Sequence, residues 1–456
     1  MSDETRATDR PATFRDVFAS REYRFVYSSA TLSWTGDYLA KAAVTALVFT
    51  ETKSVALSAT AFAISFLPWL LGGPLLAAMA ERRRYRSVMV ACDLLRAGLM
   101  VLVAIEGIPV WAMLVLLFAA SLVNPPFQAA RSALMPQILP GDRYVVGLSL
   151  QTSTAQAAQL MGYLIGAALA PFYPRFALLL NAATFAASAL LIRIGVSDRG
   201  PIGVPPKREH LIREAADGFH VVFGSRVLRA IAAVTFSAML FAIVPEGLAA
   251  AWAGEFATDN ANDRGWIQGV LMMASPVGFI AGGLVVGRLV RPERRRRLIR
   301  VFAVLAPLAL VPALGDPPAW AIVVLGALCG FSVAGMMPAA NGLFVQALPA
   351  GYRARAFGVM QGGVQIAQGV AVLATGALAE RFAIPTVVGA WSLAGAAVLL
   401  LVVLRWPSKE AIDRAVATAQ AANGRHTAPD DPPTPPAGIP SPGRHRAGGP
   451  VEAASV

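Results

Sequence analysis

The chain has 456 residues, of which 56% are hydrophobic and only 14% charged, with a formal net charge of +12. That is too apolar for an ordinary water-soluble protein of this length, so a membrane protein is expected. The basic excess does not indicate a nucleic-acid surface, because the arginines stand in short runs between apolar segments, where no continuous basic face can form.

Residues 1–22 are polar and of mixed charge, with no apolar core followed by a small-residue cleavage site, so no cleaved leader is indicated and a cytosolic N-terminal segment is expected. At about twenty apolar residues per span, the rest of the chain offers twelve candidate helices. Six fall near 23–50, 55–80, 87–105, 110–132, 144–170 and 175–194, and six near 228–254, 265–289, 298–314, 320–346, 354–380 and 385–405. The predicted fold class is therefore an all-α membrane protein with twelve transmembrane helices in two six-helix repeats, 23–194 and 228–406. The arginines of Arg82 to Arg86 return six helices later at Arg288 to Arg297, and Leu139-Pro140 returns as Leu348-Pro349. Between the halves, 195–227 reads as a cytosolic linker, with Leu211, Ile212, Ala215, Phe219, Val222 and Phe223 at the spacing of an interfacial amphipathic helix. The tail, 407–456, opens on a short polar helix candidate from Ser408 and is expected to be disordered from about residue 424.

Loops after the even-numbered helices carry most of the Lys and Arg, whereas the alternating set carries Lys53, Arg175, Arg264 and Arg381. Both termini are accordingly expected in the cytosol. A soluble helical core would have no reason to sort arginines onto alternate turns.

The short turn Glu81-Arg82-Arg83-Arg84-Tyr85-Arg86 resembles the loop between the second and third helices of the major facilitator superfamily of membrane transporters, whose pattern is Gly-x-x-x-Asp-Arg-x-x-Arg-Arg. Glu81, Arg82 and Arg86 match in kind, Ala77 stands for the glycine, and glutamate replaces aspartate. Within the superfamily, Gly36-Asp37, Asp93-Leu94-Leu95-Arg96 and Ala133-Leu134-Met135-Pro136 leading to Leu139-Pro140 are most similar to the branch of bacterial drug, macrolide and siderophore exporters. The resemblance implies alternating access, with the first and fourth helices of each half lining a central cavity. It also implies a cytosolic charge network, here Glu81, Arg82, Arg86, Asp93 and Arg96, that latches the halves in one state; topological anchoring is the plainer reading of the same arginines. Gly162 and Gly166 in helix 5 form a small-xxx-small packing surface as much as a remnant of the superfamily's antiporter motif.

Acids inside the bilayer are expensive and usually face a cavity or a partner. Asp37 lies well inside helix 1 and is one proton-coupling candidate; a fixed pair with Lys41, four residues on along the same face, and contact with substrate are the alternatives. Glu246, after Pro245 in helix 7, is the other candidate, with a solvated position near the outer mouth as its alternative. Thr152, Gln156 and Gln159 in helix 5, and Gln361, Gln365 and Gln368 in helix 11, form polar stripes that point first to hydrogen bonding across the closing interface and next to cavity lining. Asn124, Gln128 and Arg131 make a similar stripe in helix 4, whose arginine would contact an anionic substrate or snorkel. Trp34, Phe62, Phe66, Trp69, Phe118 and Phe127, with Met272, Met273, Met336 and Met337, would supply a soft apolar wall where they do not simply face lipid or other helices.

No phosphate-binding Gly-x-x-x-x-Gly-Lys-Ser/Thr loop is present, so ATP is not expected as the driving force. The four histidines lie outside the spans and Cys92 and Cys329 lie singly within them, so neither a metal site nor a disulfide framework is expected. With no nucleophile, base and acid set, an enzyme is not expected either. The reading is a monomeric multi-pass protein of the inner membrane, with no cofactor beyond the proton gradient and with the lipid bilayer and a small molecule as partners. Its expected activity is proton-driven export of a lipophilic or amphipathic compound, as a multidrug antiporter would perform. Import of a solute, lysophospholipid flipping and a non-transporting sensor or scaffold are the alternatives.

Overall fold

The computed structural model describes residues 13–68, 83–140, 142–169, 173–199, 218–257, 260–349 and 353–427. Every regular element among the described residues is helical, as required where no water is available to satisfy an open sheet edge. After a short helix at Phe14–Phe18 come α1 (Arg21–Thr52), α2 (Val55–Ala63), α3 (Tyr85–Val103), α4 (Val110–Leu122), α5 (Asn124–Ile138), α6 (Asp142–Leu169) and α7 (Pro174–Gly195). The second half holds α8 (Arg226–Ala242), α9 (Val244–Phe256), α10 (Ala261–Leu289), α11 (Pro292–Leu308), α12 (Ala319–Gln346), α13 (Arg353–Leu378), α14 (Ile384–Leu404) and α15 (Lys409–Thr427).

Among the described residues, eight helices are long and apolar enough to cross a membrane, counting α4 with α5 and α8 with α9 as single spans. The 32-residue α1 is not among them, because Asp37, Lys41 and a series of hydroxyl residues interrupt its apolar run. The outer surface suits lipid: Trp111, Trp320 and Leu404 are 69%, 72% and 72% exposed, within a much larger set of exposed Leu, Val and Ile. A soluble monomer seldom leaves so much apolar area uncovered.

Two spans break where proline removes a backbone donor. The expected helix at 110–132 divides at Val123, just before Pro125, and continues as α5 to Ile138. That at 228–254 divides at Ile243, so that Pro245 and Glu246 open the first turn of α9. Toward the end of the described residues, α15 runs to Thr427. Residues 428–456, the turn at Glu81 and Arg82, Trp69 and most of the expected linker helix lie outside the described residues. The described end of that linker, 218–224, is helical, with Val222 buried and Phe219 and Phe223 exposed and stacked at 5.9 Å.

The halves meet most extensively where α6 packs on α10 and α2 on α13, and α1 also touches α9 and α10. Gln268 of α10 donates to the carbonyl of Ala42 at 2.9 Å and to Thr45 Oγ1 at 3.2 Å. Just beyond α13, the Glu380 carboxylate accepts from Ser54 Oγ at 2.6 Å and from the backbone N–H of Ala56 at 2.8 Å, capping the start of α2 from the opposite half. These contacts stand toward the arginine-poor end of the bundle.

The Ser54 hydroxyl and the Ala56 N–H hold the Glu380 carboxyl below its ordinary value of 4.5. A group so depressed contributes its stability at higher pH and loses it as pH falls through the folded-state value. Acidification below 4.5 is therefore expected to loosen the arginine-poor end. Spin labels at Lys53 and Arg381 should move apart on acidification, and Glu380→Ala should give the wider distance already at neutral pH. An unchanged distance in the variant would show that this cap does not hold the halves together.

Candidate functional site

A cavity of about 620 Å³ lies between the halves on the arginine-rich side of those contacts. The walls come from α1, α2, α3, the α4–α5 span, α6, α7, α9 and α13, the last through Gln361, Gln365 and Gln368. A side lobe of about 250 Å³ shares Gln156, Gln159 and Glu246 with it and adds Ser275, Phe279 and Met337.

Asp37 reaches this cavity because Gly36 allows α1 to press against α7. A Cβ at Gly36 would stand 2.1 Å from Thr184 Oγ1 and 2.4 Å from Asn181 Oδ1. The partner of Asp37 is not Lys41. Arg96 of α3 donates through Nη2 to both carboxylate oxygens, at 2.6 and 2.8 Å. A guanidinium spreads its donors over separate nitrogens, so that while Nη2 holds Asp37, Nη1 lies toward Ser33 Oγ at 3.5 Å and toward Asp93. Arg96 also stacks on Phe185 at 4.0 Å and lies 4.0 Å from Asp93 Oδ1. Asp93 is fully buried and accepts from Ser188 Oγ at 2.6 Å, while its Oδ1 and the Arg96 Nε have no hydrogen-bond partner. One buried guanidinium thus stands between a fully buried carboxylate, Asp93, and one that faces the cavity, Asp37.

This corrects the expected charge network in one respect. Arg86 does not join Asp93 and Arg96; it lies 3.5 Å from Asp198 and donates to the carbonyl of Val196, while Arg84 donates to Asp198 at 2.6 Å. Arg96, nearly three turns further along α3, looks inward to the cavity instead.

Glu246 is likewise not solvated at an outer mouth. It is 5% exposed, in the first turn of α9, where the helix dipole favours an acid. Its Oε2 accepts from Tyr163 Oη at 2.9 Å and from Gln159 Nε2 at 3.3 Å, both on α6 of the other half. Among the described residues it makes no ion pair.

Lys41 faces the same cavity inside an aromatic surround, with Nζ 5.1 Å from the Tyr38 ring, 5.6 Å from Phe62 and 5.0 Å from Phe66. Such contact with ring faces partly offsets the loss of water around an ammonium. Gln156, Gln159, Gln361, Gln365 and Gln368 all line the cavity, and of these only Gln159 bonds across the seam through its side chain among the described residues. Thr152 does neither, returning its hydroxyl to Leu148 within its own helix. Asn124 and Gln128 line the cavity and bond each other at 3.3 Å. Arg131 does not snorkel: it is buried, stacked on Trp34 at 4.7 Å, and with the Gln151 amide oriented to it, its Nη2 donates at 2.8 Å. Of the expected apolar wall, Trp34, Phe62 and Phe66 line the main cavity and Met337 the lobe, whereas Phe127 is core.

Tyr163 and Ser188 were not anticipated. Tyr163 lies four residues beyond Gln159 and continues the same stripe of α6, so extending that stripe one turn finds it. Nothing local in the sequence marks Ser188.

A helical membrane bundle whose seam encloses a polar, charge-bearing cavity has the build of a solute transporter. A family model described as Major Facilitator Superfamily matches residues 26–322 and 268–440, and the chain belongs to that superfamily. Macrolide efflux protein A of Streptococcus pyogenes is 22% identical over 349 residues, which cover 73% of this chain and 83% of the relative. The protein of the same description from Enterococcus faecalis is 23% identical over 309 residues, 64% of this chain and 92% of the relative. Among solved structures, the nucleoside transporter NupG aligns with a TM-score of 0.64 at 15% identity, covering 84% of this chain and 98% of its own. A peptide transporter bound to alafosfalin aligns equally well, at 0.64 and 14% identity, over 91% and 99% of the two chains. At these identities the likeness to solved structures is one of fold.

Proposed function

We propose that this transporter exports an amphipathic molecule rich in hydrogen-bonding groups, in exchange for protons, with both termini in the cytosol and Glu246 as the coupling carboxylate. The observation that carries the reading is the bridge from Glu246 to Tyr163 and Gln159 across the seam. With the arginine-rich loops in the cytosol, the described state faces inward, and both donors reach Glu246 from the opposite half. Parting the halves at the arginine-poor end withdraws those donors and leaves the carboxylate open to a proton from outside. A neutral Glu246 then re-enters the closed seam, and the proton leaves on the cytosolic side. Coupling of this kind needs only that proton affinity differ between the two states.

Asp37 takes a different part in this reading. Clasped by Arg96, it presents the cavity with a neutralised pair, while Lys41 and the glutamines supply donors to carbonyl and hydroxyl groups of the substrate. Trp34, Phe62 and Phe66 accept its apolar face. The relatives named for macrolide efflux favour a bulky, oxygen-rich substrate and outward direction.

The test is proton movement in proteoliposomes loaded with an internal pH dye, on addition of macrolides, siderophores and lipophilic cations. Wild type should show substrate-dependent flux with at least one class, and Glu246→Gln should abolish it while Trp34 fluorescence still reports substrate binding. Flux retained in Glu246→Gln but lost in Asp37→Asn would transfer the coupling role to Asp37. No flux with any compound would overturn coupled export.

A further inference from the structure

A second cavity, of about 1030 Å³, lies at the arginine-rich end of the C-terminal half and shares no lining residue with the central one. Helix α11 opens on the arginines of 294–297 and carries Arg300 one turn later. After α14 the chain turns at Trp406 and Pro407 and enters α15, whose Ile412, Ala415 and Val416 pack onto the apolar cluster around Leu343 and Phe344 of α12. Between these elements stand Arg295, Arg296, Arg297, Arg300 and Lys409, against one carboxylate, Asp413.

Two of those cations are engaged. Arg295 donates to the carbonyls of Val290 and Gly287, at 2.8 and 2.6 Å, and Arg296 donates to Gln346 Oε1. Arg297, Arg300 and Lys409 are exposed and form no ion pair among the described residues. Beside them the cavity is lined by Leu343, Ile412 and Trp406. Its wall is open at Gly342, where an added Cβ would meet nothing within 4 Å.

The position in the bilayer follows from the same helix. Val301, Leu305 and Leu308, immediately after Arg300, are 50%, 40% and 45% exposed, so the lipid-facing stretch of α11 begins where the arginines stop. Arg297 and Arg300 therefore stand at the depth of the headgroups. We propose that this cavity binds an anionic phospholipid of the membrane, its phosphate held by Arg297, Arg300 and Lys409 and its glycerol and upper acyl chain laid along Gly342 and Leu343. Guanidinium groups suit a phosphodiester because they donate two bonds in one plane, and basic pockets between helices on the cytoplasmic side are suited to such lipids. An apolar floor next to the cations favours a lipid over a free anion, which has nothing to place there.

The test uses the full chain in a neutral detergent, titrated with phosphatidylglycerol or phosphatidylcholine and followed by the shift in melting temperature. Phosphatidylglycerol should stabilise the protein and phosphatidylcholine should not. Arg297→Gln with Arg300→Gln should weaken phosphatidylglycerol binding about 25-fold, from roughly fivefold for each basic side chain near a headgroup. Gly342→Leu, which keeps every cation but fills the cavity, should also lose the stabilisation. Both variants change exposed or open positions, so their lipid-free melting temperatures should match wild type. Equal affinity in wild type and the double variant would overturn the proposal, as would displacement of the lipid by an equal concentration of inorganic phosphate. Retained binding in Gly342→Leu would overturn the seating within the cavity.

Discussion

Arg96→Met is expected to lower the stability of the purified protein by about 3–5 kcal/mol, the range for removing one partner of a buried ion pair. The cost arises from what is left behind. Arg96 is 5% exposed at its side chain, gives two hydrogen bonds to Asp37 and is the cation nearest to Asp93, whose side chain is fully buried. Without the guanidinium, Asp93 retains only the Ser188 hydroxyl, and Asp37 faces the cavity alone. Removing all three charges together, as Asp37→Asn, Asp93→Asn and Arg96→Met, should recover most of the loss, because no uncompensated charge then remains in the interior. Denaturant unfolding in detergent would measure both. A loss below about 1 kcal/mol for Arg96→Met would place the pair in the range of solvent-screened surface bridges and remove the basis for treating it as a buried unit.

Gly330→Val is expected to destabilise the C-terminal half by about 3 kcal/mol or more, at or beyond the upper end of overpacking costs. Here α12 and α10 approach backbone to backbone. An added Cβ at Gly330 would lie 2.0 Å from the Ser275 carbonyl oxygen, and one at Gly278 would lie 1.9 Å from that of Ala327. A side chain can change rotamer to relieve such a clash, but a carbonyl within a helix moves only with its helix. In lipid, where apolar chains gain nothing by leaving water, this close approach is much of what holds two helices together. Gly283 is the control on the same helix pair, with nothing within 4 Å of an added Cβ. Gly283→Ala should be neutral or raise stability by roughly 0.5–1 kcal/mol through helix propensity. Equal melting of the two variants would mean that the α10 and α12 backbones are not in contact.

How far the cavity was legible depends on distance along the chain. Asp37, Lys41, Glu246 and the stripes of glutamine stand out in the sequence because a polar residue in an apolar run is conspicuous, and all of them line the central cavity. Their partners do not stand out. The Asp37 to Lys41 spacing is visible within one helix, yet the guanidinium that Asp37 binds is 59 residues away and comes within reach only when α3 packs beside α1. For Glu246 the sequence leaves a coupling role and a solvated position both open, whereas the break at Ile243 and the approach of α6 from the other half bury it. Phe127 and Arg131 show the same limit: a helix face is readable from periodicity, but which neighbour covers it is not.

The sequence by itself determined that this is a helical, multi-pass membrane protein of the major facilitator superfamily. In hydrocarbon, a long apolar run has few solutions other than a helix that satisfies its own hydrogen bonds, so composition and periodicity suffice. The tertiary structure alone decided which cavity carboxylate bridges the halves, which is paired with arginine, and which cations at the arginine-rich end form no ion pair among the described residues. Those outcomes depend on contacts between helices distant in sequence, where differences of a few ångströms choose one partner over another and no local pattern records the choice.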